Sequence, residues 1–347
     1  MSTRIVASLR RTPVFAVAAI LTLALGTGAV ATTWTIVHGV LLAPLSYHQP
    51  DRLMSVGLDL HGTGVERVDQ PPALYLTYRR LARRVRDVGF YRTGNGNIWT
   101  NDGEDASERV TAAWITASTI PLLGVKPQLG RSFRENEDLP NAAGAVILSD
   151  ALWRSRFGAS PDVLGKKLNV NSVVREIIGV MPASFSFPSP DTRLWLPSRI
   201  DLATATAGNF AYSGVGRLAS GATPSEAQQE LNGLMARVAE SYPRLESGTA
   251  TAQWLEEARP TAIVTPLRDA VTSGIAGTLW ILAAAAGLVL LVAWGNIVNL
   301  MLIRADGRQL ELAVREALGA SWLRIVAHLF GEALVLTATA GVIALVA

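Results

Sequence analysis

The chain has 347 residues, 49% hydrophobic and only 17% charged, with a mean hydropathy of +0.28 and 31 Lys+Arg against 28 Asp+Glu. Soluble domains average about 25% charged residues, so this composition argues against a wholly water-soluble protein. The absence of cysteine excludes disulfides, a lipid-anchored cysteine and thiol chemistry.

Two runs without a formal charge, Val14–Leu42 and Ile275–Ile303, have 29 residues each and bracket 232 residues of ordinary polar chain. A third apolar run, Ile325–Ala347, follows 21 residues later. A bilayer core needs about 20 helical residues, so the pattern predicts an α-helical transmembrane protein with a large α+β domain inserted between its first two membrane helices. In chain order this gives a cytoplasmic amphipathic start (1–12), a first span (13–42), the inserted domain (43–268, read as two lobes), a second span (275–303), a short loop (304–324) and a third span (325–347).

The pI near 9.4 does not point to nucleic acid, because residues 43–274 carry 24 Lys+Arg and 24 Asp+Glu. The surplus lies in Arg4, Arg10 and Arg11 before the first run and in Arg304, Arg308, Arg315 and Arg324 after the second. Positive charge in short flanking segments marks the cytoplasmic side. The N-terminus and the 304–324 loop are therefore expected on the cytoplasmic side, with the large domain outside.

The first run has a rival reading. Arg10-Arg11, Val14–Leu25 and Ala29-Val-Ala31 resemble a secretory signal with its cleavage site. Against this, the apolar pattern continues through Trp34, Ile36, Val37, Val40, Leu41 and Leu42. It also exceeds a signal's apolar stretch of about 7–15 residues. At about 1.5 Å per residue the first two runs reach roughly 43 Å, beyond a core of about 30 Å, so they tilt or project. Gly26, Gly28, Ala29 and Ala31, and Ala283–Gly287, would permit close helix approach; such residues are also simply common in membrane helices.

In the inserted domain, strands are expected at Arg52–Leu58, Glu108–Ile115, Ala145–Leu148 and Ala211–Leu218, with a last one at Thr261–Leu267. Lys167–Val180 reads as a hairpin around Asn171-Ser172. Helices are expected at Pro72–Val88 and Asp150–Phe157. A third follows the start signal Thr223-Pro224-Ser225-Glu226 and runs to about Ser241.

Catalytic patterns are missing. The four histidines, His38, His48, His61 and His328, have no zinc-protease spacing. Gly158…Gly165-Lys166-Lys167 has six residues between its glycines and no hydroxyl after Lys166, so it reads as a turn rather than a phosphate loop. No serine sits in a Gly-x-Ser-x-Gly elbow. The Arg79–Arg86 cluster reads as a solvated face. No catalytic, cofactor or metal residues are assigned.

Between the second and third spans, Leu310, Ala313, Val314, Ala317 and Leu318 recur at helical spacing, with Arg308, Glu311, Arg315 and Glu316 polar and Gly319 as a stop. Mixed charge suits docking to a protein surface, although a solvated connector carries the same pattern. Asn296 and Asn299, near the inner end of the second span, are candidate intramembrane polar contacts. In the third run, His328 and Glu332 share a face; Glu332 is either a boundary group paired with a loop arginine or an intramembrane functional group.

Five stretches also carry a family resemblance. RTPVFAVAAILTLALGTGAVATTWTIVHGVLLAPLSYHQPDRL (Arg11–Leu53) is similar to the opening of MacB/FtsX-type ABC transporter permeases, the acidobacterial-type group included. LLGVKPQLGRSF (Leu122–Phe133), VILSDALWRSRFG (Val146–Gly158) and IIGVMPASFSFP (Ile177–Pro188) resemble that family's periplasmic core domain. GNIVNLMLIRADGRQLELAVREALGAS (Gly295–Ser321) resembles the start of its FtsX-like permease domain.

The resemblance implies a permease subunit that couples a separate cytoplasmic ABC ATPase dimer to a periplasmic domain by mechanotransmission, without enzymatic activity of its own. It implies a homodimer or tandem permease partner, contact with lipid, and a periplasmic adaptor or other periplasmic protein. The alternative is an FtsX-like regulator that activates a periplasmic partner such as a cell-wall hydrolase. By position, the ATPase contact would be the helix Gln309–Gly319, with Glu311, Arg315 and Glu316 as polar contacts. Ile5, Val6 and Leu9 with Arg4 and Arg10 would lie along the inner surface. The family has four spans per unit and this sequence shows three, so it is expected to be either a fragment or the first half of a split tandem permease.

Overall fold

The computed structural model describes residues 13–100, 107–201 and 204–306, together with 337, 338 and 341. It divides into two compact units, Met1–Ala43 with Thr272–Ala347, and Pro44–Val271. The first helix, α1 (Pro13–Val37), continues into a π-helical turn, His38–Leu42. Three of its threonines turn their hydroxyls back onto the helix: Thr22, Thr27 and Thr35 donate to the carbonyls of Ala18, Leu23 and Ala31 at 2.8, 2.7 and 2.9 Å. That satisfies each hydroxyl without water, as an apolar surrounding requires.

The domain then runs β1 (Leu53–Leu60), β2 (Val65–Val68), α2 (Pro72–Leu81), β3 (Val85–Trp99), β4 (Glu108–Ile115), α3 (Thr119–Leu123), β5 (Leu129–Gly130), β6 (Ala145–Leu148), α4 (Asp150–Phe157), β7 (Lys167–Val170), β8 (Val173–Val180), β9 (Thr192–Pro197), β10 (Ser213–Leu218), α5 (Pro224–Gly233), α6 (Met235–Ser241), α7 (Thr251–Ala258) and β11 (Pro260–Pro266). Among the described residues these strands join one sheet in the order β11-β1-β10-β3-β4-β9-β6-β8-β5, with β2 on β1 and β7 on β3 and β8. The fifteen-residue β3 makes this possible. Val85–Tyr91 pairs with β10, and Tyr91–Ile98 pairs with β4.

Three clusters form the core. One lies under α2, α5 and α6 and buries Met54, Leu74, Tyr78, Phe90 and Leu231. A second gathers Leu53, Ile115, Leu123, Phe185, Trp195 and Leu267, and a third Ile98, Leu152, Leu168, Ile177 and Leu194. Trp195 is fully buried, with its indole N–H donating to the Phe187 carbonyl at 2.8 Å.

Several expected elements are present within a residue or two. Glu108–Ile115, Ala145–Leu148 and Asp150–Phe157 keep their bounds. The 167–180 hairpin turns at Asn171-Ser172, both at positive φ (53° and 66°), the geometry of a tight primed turn. Thr223 and Glu226 form the reciprocal capping box, although the helix breaks at Leu234 before resuming as α6.

Two expectations are corrected. The helix predicted over Pro72–Val88 ends at Leu81, where Ala82 turns extended (ψ 142°). Glu230 accepts the backbone N–H groups of Arg83 and Arg84 at 2.8 and 2.7 Å, and β3 begins at Val85. Val85 and Val88 are buried in a strand, a pattern that helical spacing imitates over so few residues. The last strand stops at Pro266, and Leu267 opens α8 (Leu267–Asp306), a helix of 40 residues and about 60 Å.

Within the first unit, α1 and α8 meet at small residues. A Cβ placed on Gly26 would lie 3.2 Å from Leu290 Cδ1 and 3.4 Å from Ala293 Cβ. Leu23 and Ala24 are buried there with Ile20 and Ile297 beside them. Elsewhere α8 is apolar and exposed: Trp280, Ile281, Leu288, Leu291, Val292 and Trp294 all face outward.

Candidate functional site

The domain's incoming and outgoing connections converge on one core. Leu45 and Tyr47 pack against the cluster that buries Leu53, Leu122, Leu123, Phe185 and Leu267. Tyr47 meets Phe185 edge-on with centroids 6.2 Å apart, and burial pushes its phenol up to about 12. Leu267, the first residue of α8, is 1% exposed. Both chain connections are therefore anchored by burial rather than by flexible linkers.

Two arginines lock the incoming segment. Arg217 on β10 donates to the carbonyls of His48, Gln49 and Leu122 at 2.7, 3.3 and 2.9 Å. Arg52 donates from Nε and Nη2 to the Leu218 carbonyl at 3.0 and 2.5 Å, and from Nη1 to Gln49 Oε1 at 2.8 Å. Burial, with the charge of Arg52 adding to it, holds the Arg217 guanidinium below its ordinary value. The His48 N–H donates to the Leu123 carbonyl at 3.3 Å. Gly124 ends α3 at φ 74°, and a Cβ there would lie 2.5 Å from His48 Cβ. A side chain at 124 would thus displace the incoming chain as well as strain the turn.

Three carboxylates elsewhere in the domain make structural bonds. Glu137 takes two charge-assisted bonds from Arg131 at 2.7 and 2.8 Å and one from the Arg134 N–H, which together hold it below the usual carboxylate range. Asp150 is lowered by Arg154 and then by Gln128. Asp138 goes the other way: burial raises it, although the N–H groups of Ala117 and Arg199 donate to it at 2.9 and 2.7 Å.

The Arg79–Arg86 cluster is the solvated face expected of it. Arg79 pairs with Glu135, and Arg84 and Arg86 make 3.9 Å contacts with Glu226 and Asp87. A surface cleft of about 340 Å³ beside it is lined by Leu76, Thr77, Arg79, Arg80 and Tyr242, with no nucleophile and base in reach of each other. Gly158 caps α4 in the left-handed region and Gly165 turns at φ 81°, so the phosphate-loop imitation is a pair of turns. Among the described residues, no three His, Asp or Glu side chains gather where they could hold a metal.

Of the sequence-predicted site residues, Asn296 and Asn299 lie on exposed positions of α8. Glu311, Arg315, Glu316, Gly319, His328 and Glu332, with the amphipathic start at Ile5, Val6 and Leu9, lie outside the described residues. Among the described residues, the side chains that hold the domain's chain connections are Arg217, Arg52 and Leu267. No motif marks them, because each acts through tertiary packing.

Comparison with known families identifies the class. Residues 16–234 match the MacB-like periplasmic core domain and residues 283–347 match the FtsX-like permease C-terminal region. The first match alone covers more than half of the chain. The protein belongs to the MacB/FtsX-type permeases, membrane subunits of the ABC-transporter type. Such permeases are embedded in a membrane, carry a periplasmic domain and work with a cytoplasmic ABC ATPase. Here the family domain is α+β, and Val17–Leu42 and Leu267–Asn299 are long and apolar enough to cross a membrane.

Solved structures that match include a domain of a permease protein from Porphyromonas gingivalis (17% identity, 64% of this chain and 93% of that one, TM-score 0.45). The periplasmic region of MacB from Actinobacillus actinomycetemcomitans matches at 14% identity, over 70% and 97%, with a TM-score of 0.45. The extracellular domain of the noncanonic ABC-type transporter YknZ from Gram-positive bacteria matches at 16%, over 61% and 99%, with a TM-score of 0.43. Comparison with the curated proteins gives no match.

Proposed function

We propose that this chain is the permease subunit through which a separate cytoplasmic ABC ATPase dimer moves a periplasmic domain, working as a dimer or as half of a tandem pair in the bacterial inner membrane. The observation that supports it most directly is the junction at Pro266–Leu267. Strand β11 ends and α8 begins with no residue between them, and Leu267 is buried in the core that also holds Leu45 and Tyr47. A helix rooted in a close-packed interior passes its displacement to the sheet, because packed side chains transmit strain that a loop would absorb.

In this reading the spans are 13–42, 275–303 and 325–347, and the inner loop 304–324 takes the push. Glu311, Arg315 and Glu316 meet the ATPase, with Gly319 closing the helix. Asn296, Asn299 and Glu332 supply polar contacts inside the bilayer. The driving chemistry, ATP hydrolysis, belongs to the partner.

Co-purification from membranes tests the assignment. Glu311→Lys, Arg315→Glu and Glu316→Lys combined should release the ATPase while the permease stays in the membrane. An intact complex overturns the contact. Efflux measured in a deletion strain then tests the export role: unchanged efflux with a disabled periplasmic partner enzyme would move the chain to the regulatory class.

A further inference from the structure

Two arginines, Arg199 and Arg175, approach the loop 139–144, and neither guanidinium forms an ion pair among the described residues. Arg199, just after β9, holds a left-handed backbone (φ 54°) that residues other than glycine adopt only at a cost. It is fixed there from two sides. Its N–H donates to Asp138 Oδ1 at 2.7 Å, and its Nη2 donates to the carbonyls of Ala142 and Ala143, each at 2.8 Å.

Arg175 on β8 reaches the same loop. A Cβ on Gly144 would lie 3.2 Å from both its Cα and its Cγ, and the Glu176 N–H donates to the Gly144 carbonyl at 2.8 Å. Nε and Nη1 of Arg175, Nε of Arg199 and Oγ of Ser198 are shut off from solvent with no hydrogen-bond partner among the described residues. Burial and then the charge of Arg199 hold the Arg175 guanidinium down to about 10, which still leaves it charged at neutral pH.

Other arginines in this domain show what is missing. Arg131 has Glu137, and Arg217 has three carbonyls. Here two like charges approach one loop, and the nearby Asp138 accepts the backbone N–H groups of Ala117 and Arg199 and forms no ion pair with either guanidinium among the described residues. Shielded N–H donors on a charged group call for a hydrogen-bonding counter-charge, and a planar guanidinium fork matches an oxyanion. Arg175 is half-buried as a whole, which leaves a ligand a way in. We propose that Arg175 and Arg199 bind an oxyanion, a carboxylate or phosphate group, against the loop 139–144.

Thermal unfolding of the full chain in detergent micelles, followed by tryptophan fluorescence, tests this. Inorganic phosphate and acetate are titrated separately against chloride at constant ionic strength. At ten times Kd, phosphate should raise the midpoint by about 3–6 °C, saturably. An equal response to acetate assigns a carboxylate-sized site, and a response to phosphate alone assigns a tetrahedral one. Arg175→Gln should melt no lower than wild type in chloride, because it removes an uncompensated charge, and should lose the anion response. A wild-type response retained by Arg175→Gln, or no saturable response to either anion, overturns the proposal. Should that variant fail to fold, line broadening of the phosphate 31P signal by wild type is decisive: its absence also overturns the site.

Discussion

Trp195 and Trp294 show how differently the two units handle apolar surface. Trp195 is wholly buried among Phe185, Ile147 and Ile115, and its indole N–H is satisfied by a carbonyl. Trp294, on α8, is 58% exposed in a row with Leu291, Val292 and Val298. In the domain, water drives apolar groups inward. On α8 the same groups face outward over about 30 residues, which is stable only where the surrounding solvent is itself apolar. The contrast separates a domain that buries its apolar groups from a long helix that exposes them.

The sharpest way to break this contrast is to truncate both tryptophans. Trp195→Ala should cost the domain about 3–5 kcal/mol, enough to unfold a marginal fold. Trp294→Ala should leave the domain's unfolding midpoint unchanged. Limited proteolysis of the full chain in detergent checks both; equal sensitivity would remove the distinction between the units.

A smaller effect is expected at the helix contact. Gly26→Leu puts a side chain where even a Cβ sits 3.2 Å from Leu290, an overpacking of about 1–3 kcal/mol. Because the chain has no cysteine, Leu23→Cys with Ile297→Cys gives a clean oxidative crosslink between α1 and α8. The crosslink should fall severalfold once Gly26→Leu is added. An undiminished yield would mean the helices do not depend on that close approach.

Acid sharpens the domain side of the comparison. Glu137 is lowered in the fold, so its stabilisation is present above the ordinary carboxylate range and is lost as pH falls through it. Glu137→Gln should cost about 2 kcal/mol at neutral pH, and the gap from wild type should close as pH falls below the ordinary carboxylate range. Asp138 acts with the opposite sign: its burial disfavours the ionised form at neutral pH, and protonation relieves this. Denaturant titrations of wild type and Glu137→Gln across this range check the direction. A gap that widens on acidification would refute it. The smallest expected effect is Thr223→Ala, which loses the α5 cap and about 1 kcal/mol in the same assay.

Much of the domain was legible because local chemistry agreed with tertiary structure. Asn171-Ser172 tolerates the positive φ of a tight turn, and Thr223-Pro224…Glu226 satisfies its own helix end. Prediction failed where a distant group decided the outcome. The α2 helix stops at Leu81 because Glu230, on α5, takes the next N–H groups. Strand β9 and helix α7 carry no strong local signal and were not expected. The joint was invisible for the same reason. Arg217 is sequence-distant from the His48 and Gln49 carbonyls that it holds, and nothing near it in the chain announces that role.

One insertion tests the joint most directly. Gly-Ser-Gly placed between Pro266 and Leu267 lengthens the connection without touching the inner loop or the domain's other contacts. The permease is reconstituted with its ATPase and carries an environment-sensitive dye on Val174→Cys, an exposed position on β8. The expected result is an ATP-dependent dye signal without the insertion and none with it, while ATPase binding stays intact. A signal that survives the insertion would contradict transmission through a helix rooted at Leu267.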